Sequence, residues 1–285
     1  MNNDTAIAKR SRFAPRRLLK FAAVGAVSLV MLYVVADWAW TMSGSNEWKL
    51  KIDENGTKVY TLKAPGDPSI KVRGVTRSNE FTLSTHIAPF FDENIQKNCG
   101  EWVEGCFEYR ILKRWEKDSP YNVTMWSVAM PPFQSRQILL QGNLWQDPVT
   151  KVLTLENIAV PNKLPVEDCC VRLDHVHNVF KYTPIGDGNI EVELIYDMDM
   201  GGLFPRHLLS LAAPSVVHKM LSEDTPKLLR RPEYLNAKLD FIDEGLKNAP
   251  GAAPTPAADA DSAPATAAAS EASAPSVQAT AAAAG

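Results

Sequence analysis

Hydrophobic patterning divides the chain into three parts. From Phe21 the run FAAVGAVSLVMLYVV meets no charge until Asp37. Between Glu47 and Met200 short segments alternate apolar and polar residues, and from Pro205 to Lys247 apolar residues return at helical spacing. The alternation predicts strands at EWKLKI, TKVYTL, IKVRGVTR, CFEYRILKRWE, YNVTMWSVAM, RQILLQGNLWQ, VTKVLTLENIAV, CCVRLDHVHNVFKYTP and GNIEVELIYDMDM. ENG between the first two is a hairpin turn. One helix is predicted early, in SNEFTLSTHIAPFFDENIQKN, where Leu83, Ile87, Phe90, Phe91 and Ile95 share a face. Ser78 or Asn79 would cap it and Pro89 would kink or divide it. Successive strands without intervening helices imply a curved antiparallel sheet, hence an α+β fold.

The last part opens on DMDMGGLFPRHLLSLAAP, a strand that runs into Gly201 and Gly202 and then into a helix. Pro205 suits the first helical turn, where a missing N–H costs nothing. Leu209, Ala213, Val216 and Met220 form a stripe, widened by Ala212, Val217 and Leu221. Pro214 predicts a kink or break, and Pro226 opens a second segment with Leu228, Leu229, Leu235, Leu239, Ile242 and Leu246.

Charge and composition add two tails to this domain. The chain has 285 residues and a formal charge of −3, but Lys9, Arg10, Arg12, Arg16, Arg17 and Lys20 make its start strongly basic. Residues 1–20 read as a basic cytoplasmic tail and 21–42 as a transmembrane anchor or signal peptide, since a span needs about 20 apolar residues. Residues 45–247 form the folded domain. Residues 248–285, rich in Ala, Pro and Ser, cannot bury enough apolar surface to order and read as a disordered tail. Tyr33, Trp38 and Trp40 suit the far membrane interface, so the positive-inside rule exports everything after Ser43. The chain is expected in the inner membrane as a single-pass protein with its domain in the periplasm, or as a periplasmic or secreted protein if cleaved after Ala36. No polar stretch precedes that cleavage position, which favours the anchor, and Arg16–Arg17 reads as an ordinary basic flank. Nothing in the charge pattern suggests a nucleic-acid surface.

An oxidising compartment permits a Cys99–Cys106 bridge around Trp102. Cys169 and Cys170 are expected as one exposed and one buried thiol, because neighbours in a strand point to opposite faces. His175 and His177 share a strand face without a third ligand at a recognisable spacing, so a surface pair is expected and no metal. The sequence has no Ser-His-Asp or Cys-His order, phosphate loop or zinc motif, which points away from hydrolysis and implies no cofactor.

ENGTKVY, Trp102 after the first helix, PPFQSRQ before a strand, CCVRL within one and DMDMGGLFP before the last helix occur in an order and spacing that resembles the START (steroidogenic acute regulatory protein-related lipid transfer) family. The resemblance covers about Glu47 to Lys247. It implies a helix-grip fold, a curved antiparallel sheet around a long C-terminal helix with a hydrophobic cavity between them. Asp199 would end the last strand, Gly201 and Gly202 would form the hinge, and Leu209, Ala213, Val216 and Met220 would face the cavity from the lid. Arg136 and Arg172 stand where the family carries arginines, although Gln137 replaces the family's acid after the first. Strand alternation adds Arg110 near the cavity, with Glu193 or Asp199 as acids that a buried arginine would pair with.

The expected function is non-enzymatic binding and transfer of a hydrophobic ligand, a phospholipid, sterol or hopanoid-like lipid, with a membrane surface as donor or acceptor. Two other classes remain: a polyketide cyclase-like enzyme, which needs a cavity lined with acid–base groups, and a sensor or scaffold in which the tail recruits a protein partner.

Overall fold

The computed structural model describes residues 15–67, 69–202, 204 and 206–245. The basic segment up to residue 14, Pro205, Leu246 and the alanine-rich tail fall outside them. Strand-length alternation produces a sheet of ten strands: β1 (Trp48–Glu54), β2 (Thr57–Leu62), β3 (Lys71–Ser78), β4 (Cys106–Lys113), β5 (Tyr121–Met130), β6 (Phe133–Gln146), β7 (Leu153–Ala159), β8 (Cys170–Arg172), β9 (His177–Gly186) and β10 (Asn189–Asp197). Nine of them run in the order β1-β2-β3-β10-β9-β7-β6-β5-β4, all antiparallel. The predicted segment from Cys169 to Pro184 is divided, because β8 leaves the path and pairs with β6 in parallel. Asn55 and Gly56 (φ +52° and +73°) close the first hairpin, and Asp187 and Gly188 (φ +51° and +75°) close β9–β10. Both dipeptides suit the left-handed turn that matches strand twist.

Register fixes which side chains meet the helices. On β10, Ile190, Val192 and Leu194 enter the core, while Glu191 and Glu193 point away and pair with Arg77 (2.8 Å) and Arg73 (2.6 Å). The core joins them to Val59, Val72, Leu153, Leu155 and Tyr182 from the sheet and to Ala213, Val217 and Leu221 from the last helix.

Helix α1 (Pro15–Met42) contains a stretch, Lys20–Met42, long and apolar enough to cross a membrane. Its end is tied to the domain: Gly66 N donates to Thr41 O (2.8 Å), and Lys63 Nζ donates to the carbonyls of Thr41 (3.1 Å), Ser43 (3.4 Å), Ala64 (3.0 Å) and Asp67. Desolvation pulls the Lys63 pKa below its ordinary value.

Helix α2 (Leu83–Ile87) starts at Thr82, whose hydroxyl accepts from Thr85 N, and gives way to a 3₁₀ turn at Ala88, one residue before Pro89. The C-terminal helix α3 (Arg206–Lys219) runs through Pro214 without a break, which removes the break from the expected kink or break. It continues as a π-turn (Met220–Asp224) into α4 (Thr225–Leu229). The wide turn falls just before Pro226, which cannot donate to the preceding turn. After α5 (Pro232–Leu235) the chain is irregular rather than helical, yet Ile242 still reaches the core.

Cys99 and Cys106 are joined by a disulfide. So are Cys169 and Cys170, contrary to the two-thiol expectation. Cys169 lies in a turn and only Cys170 in β8, so alternation does not separate the two side chains.

Candidate functional site

The inner face of the sheet has two halves. Where α3 crosses β3 it is closely packed, and Gly74 shows how closely: a Cβ there would stand 2.4 Å from Leu221 Cδ1 and 2.8 Å from Val217 Cγ1. A larger residue here would have to displace these two side chains. Farther along, Ile138, Leu140, Phe180 and Tyr196 share the inner face by register but stay partly accessible. A polar point lies among them. Gly142 N donates to Asn122 Oδ1 (3.2 Å), and Asn157 flanks the same glycine from β7. An apolar wall with one amide pair is the composition of a site for a mostly apolar ligand with a small polar group. Burial raises the pKa of the Tyr182 and Tyr196 hydroxyls, so both stay neutral donors at physiological pH.

His86 on α2 backs this face. Its ring packs against Phe81 (5.7 Å) and Tyr182 (4.9 Å), and neither nitrogen has a hydrogen-bond partner. Burial lowers its pKa to about 4, so the imidazole is neutral. The sequence offered no signal for this residue beyond its place on a helix of small and apolar side chains.

Between the sheet and α3 lies a turn of two glycines. Asp199 N donates to His175 O (3.0 Å), and Asp199 Oδ1 accepts from Gly201 N (2.9 Å). Gly201 and Gly202 have φ of +62° and +58°, and a Cβ on either would lie 3.3 Å from a Val171 methyl. Both the backbone region and the tight approach therefore call for glycine. Arg136 crosses to this turn from β6: its Nε donates to Met200 O (2.8 Å), Nη2 to Gly201 O (3.3 Å) and Nη1 to Gln134 O, with Phe204 stacked 5.3 Å from the guanidinium. It is 2 % exposed and takes no carboxylate partner among the described residues. Burial lowers its pKa from the ordinary arginine value. Arg206 at the start of α3 pairs with Asp199 (3.5 Å) and with Asp37 of α1 (3.6 Å). A recess of about 10 Å³, room for about one water, lies between Met198, Phe204 and Leu209.

The structure thus gathers Arg136, Asp199, Gly201, Gly202 and Leu209 around one turn, with Ala213 following on the packed face of α3. Other candidates lie elsewhere. Glu193 faces outward with Arg73 because its register is opposite to that of Leu194. Arg110 lies opposite in phase to buried Tyr109 and bridges Glu108 (2.9 Å) and Glu167 (2.6 Å) near the surface. Arg172 is buried, but on the outer face: it donates to Gln137 Oε1 (3.1 Å), Leu164 O (3.0 Å) and Pro165 O (2.8 Å), pinning the loop after β7. Val216 is 61 % exposed, since the buried stripe follows Ala213, Val217 and Leu221 instead. Met220 packs half-buried against the core. His175 pairs with Asp197 and His177 with Glu156, each at 2.8 Å, and no metal-ligating cluster occurs among the described residues.

No protein-family model matches the chain. An uncharacterized protein of Pseudomonas aeruginosa is 26 % identical over 171 residues, 58 % of this chain and 78 % of that protein. Among solved structures, a STAR-related lipid transfer protein from Xanthomonas axonopodis superposes with a TM-score of 0.57 at 20 % identity, covering 65 % of this chain and 99 % of its own. Human StAR-related lipid transfer protein 5 gives 0.51 at 15 % identity, covering 74 % and 99 %. With its long antiparallel sheet and C-terminal helix packed across it, the chain has the helix-grip fold of the START domains.

Proposed function

We propose that this protein binds one lipid between α3 and the far half of the sheet and exchanges it by moving α3 about Gly201 and Gly202, without catalysing a reaction. The hinge is the observation that carries the reading. Two left-handed glycines join the covering helix to the sheet, and a buried arginine holds the turn through carbonyl oxygens alone. Such a joint fixes the closed position yet leaves the helix a single short segment about which to swing. The inward residues that remain partly accessible, Leu140, Phe180 and Tyr196, supply the apolar contact, and Asn122 and Asn157 the polar one. Apolar burial at about 25 cal/mol per Å² suffices to hold an acyl chain or ring system out of water.

On the same reading α1 is a retained membrane anchor and the domain lies on the exported side, where its two disulfides are stable. Native mass spectrometry of the gently purified protein tests the proposal: a co-purified lipid is expected. Protein that is always empty, and takes up no lipid from liposomes, overturns it.

A further inference from the structure

A groove of about 450 Å³ opens at the β1 edge of the sheet, where the end of α1, the start of β1 and the first turns of α3 meet. Trp40, Ile70 and the exposed Leu211 give it apolar lining, and Lys49 and Lys51 also border it. Both lysines are exposed and take no ion pair among the described residues. Lys63 also borders the groove but spends its ammonium on backbone carbonyls, and Glu47 is the one acid on the rim.

We propose that this groove holds the phosphate-bearing headgroup of an anionic phospholipid still seated in the bilayer, resting on the reading of α1 as a retained anchor. Three observations place the groove there. The apolar stretch of α1 ends at Met42, and Trp40 and Ser43 on either side of that end line the groove, so it begins at the level where the helix leaves the membrane. The joint is stiff. Thr41 and Ser43 are held to the β2–β3 loop by Lys63, and Gly66 N donates to Thr41 O, so the groove stays beside the end of α1. The chemistry matches, since two free ammonium groups beside an apolar lining suit a phosphodiester whose chains stay beside α1.

Ile70 and Ser210 border both this groove and the small recess at the hinge. Only the first turns of α3 stand between a headgroup held here and the inner face of the sheet, and those turns would move when the hinge opens.

The test uses the full chain in phosphatidylcholine nanodiscs doped with sub-saturating photoactivatable phosphatidylglycerol, with labelled peptides mapped by mass spectrometry. Labelling is expected on the segments carrying Lys49–Lys51 and Leu211. Lys49→Ala with Lys51→Ala should reduce it about thirtyfold, taking each lysine near the surface at its usual contribution. Lys49→Arg with Lys51→Arg should retain it, which separates charge from folding. Unchanged labelling in the alanine pair, or labelling confined to α1, overturns the inference. Labels on the β9 and β10 segments report separately on the interior site. Their absence beside lysine-dependent groove labelling would remove the carrier reading and leave the groove, and the reverse pattern would do the opposite. The intact mass in the same experiment states whether α1 is retained. A processed chain that still labels at the groove removes the anchor and keeps the headgroup site.

Discussion

Arg136 Nε donates to the carbonyl of Met200 at 2.8 Å, joining β6 to the turn that leads into α3. The guanidinium also reaches Gly201 O and Gln134 O, so one side chain satisfies three carbonyls, two of them in the turn that leads into α3. Replacing Arg136 by Met leaves these carbonyls without donors and should destabilise the fold by about 2–4 kcal/mol. Arg136→Lys keeps the charge but not the planar fork, and should recover only part of that loss. Urea denaturation of the three proteins checks the order; equal stability of wild type and the Met variant would show that the hinge is held by other contacts.

The glycines at the hinge make a kinetic prediction. At φ near +60° a side chain costs about 1–2 kcal/mol per residue, and Val171 leaves little room for one. Gly201→Val and Gly202→Val should slow lipid exchange between vesicles more than they weaken equilibrium binding. A parallel fall in both quantities points to misfolding rather than to restricted movement.

Gly74 predicts a paired effect. Gly74→Ala places a methyl group against Leu221 and Val217 and should cost about 1–3 kcal/mol by overpacking. Adding Leu221→Ala should return part of that loss, because the two changes share one volume. Strict additivity in a thermal-unfolding cycle would mean that α3 shifts bodily instead.

His86 gives a pH dependence. Its folded pKa of about 4 lies below the ordinary 6.5, so between these values the unfolded chain binds a proton that the folded chain does not. The stability attached to this group is complete above pH 6.5 and lost as pH falls toward 4, by at most about 3 kcal/mol. His86→Phe should flatten that part of the stability–pH curve. An unaltered slope in the variant would assign the acid sensitivity to other groups.

Period-two alternation announced the strands well, and the family resemblance pointed to Arg136 and the glycine pair. Alternation alone does not say which face is inner when both faces are partly covered. The loop after β7 buries Leu139 and Gln137 on the outside of β6, so burial there carries no information about the ligand side. That is why Arg172, buried and polar, belongs to the outer face. Glu193 and Arg110 lie outside for the plainer reason of strand phase. Helical spacing placed Val216 within one residue of the buried stripe, but a step of 100° per residue is enough to expose it. Asn122, Gly142 and Asn157 come from three strands, and their meeting depends on register, which sequence spacing does not report.

The Lys63 clamp bears on the range of action. Of the four carbonyls that share its ammonium, two, those of Thr41 and Ser43, lie at the end of the first helix and tie it to the domain. If that helix is the retained anchor proposed above, such a tether would make the domain a fixed port on one membrane rather than a ferry between two. A lipid would then reach it laterally within the leaflet or from something that comes to meet it.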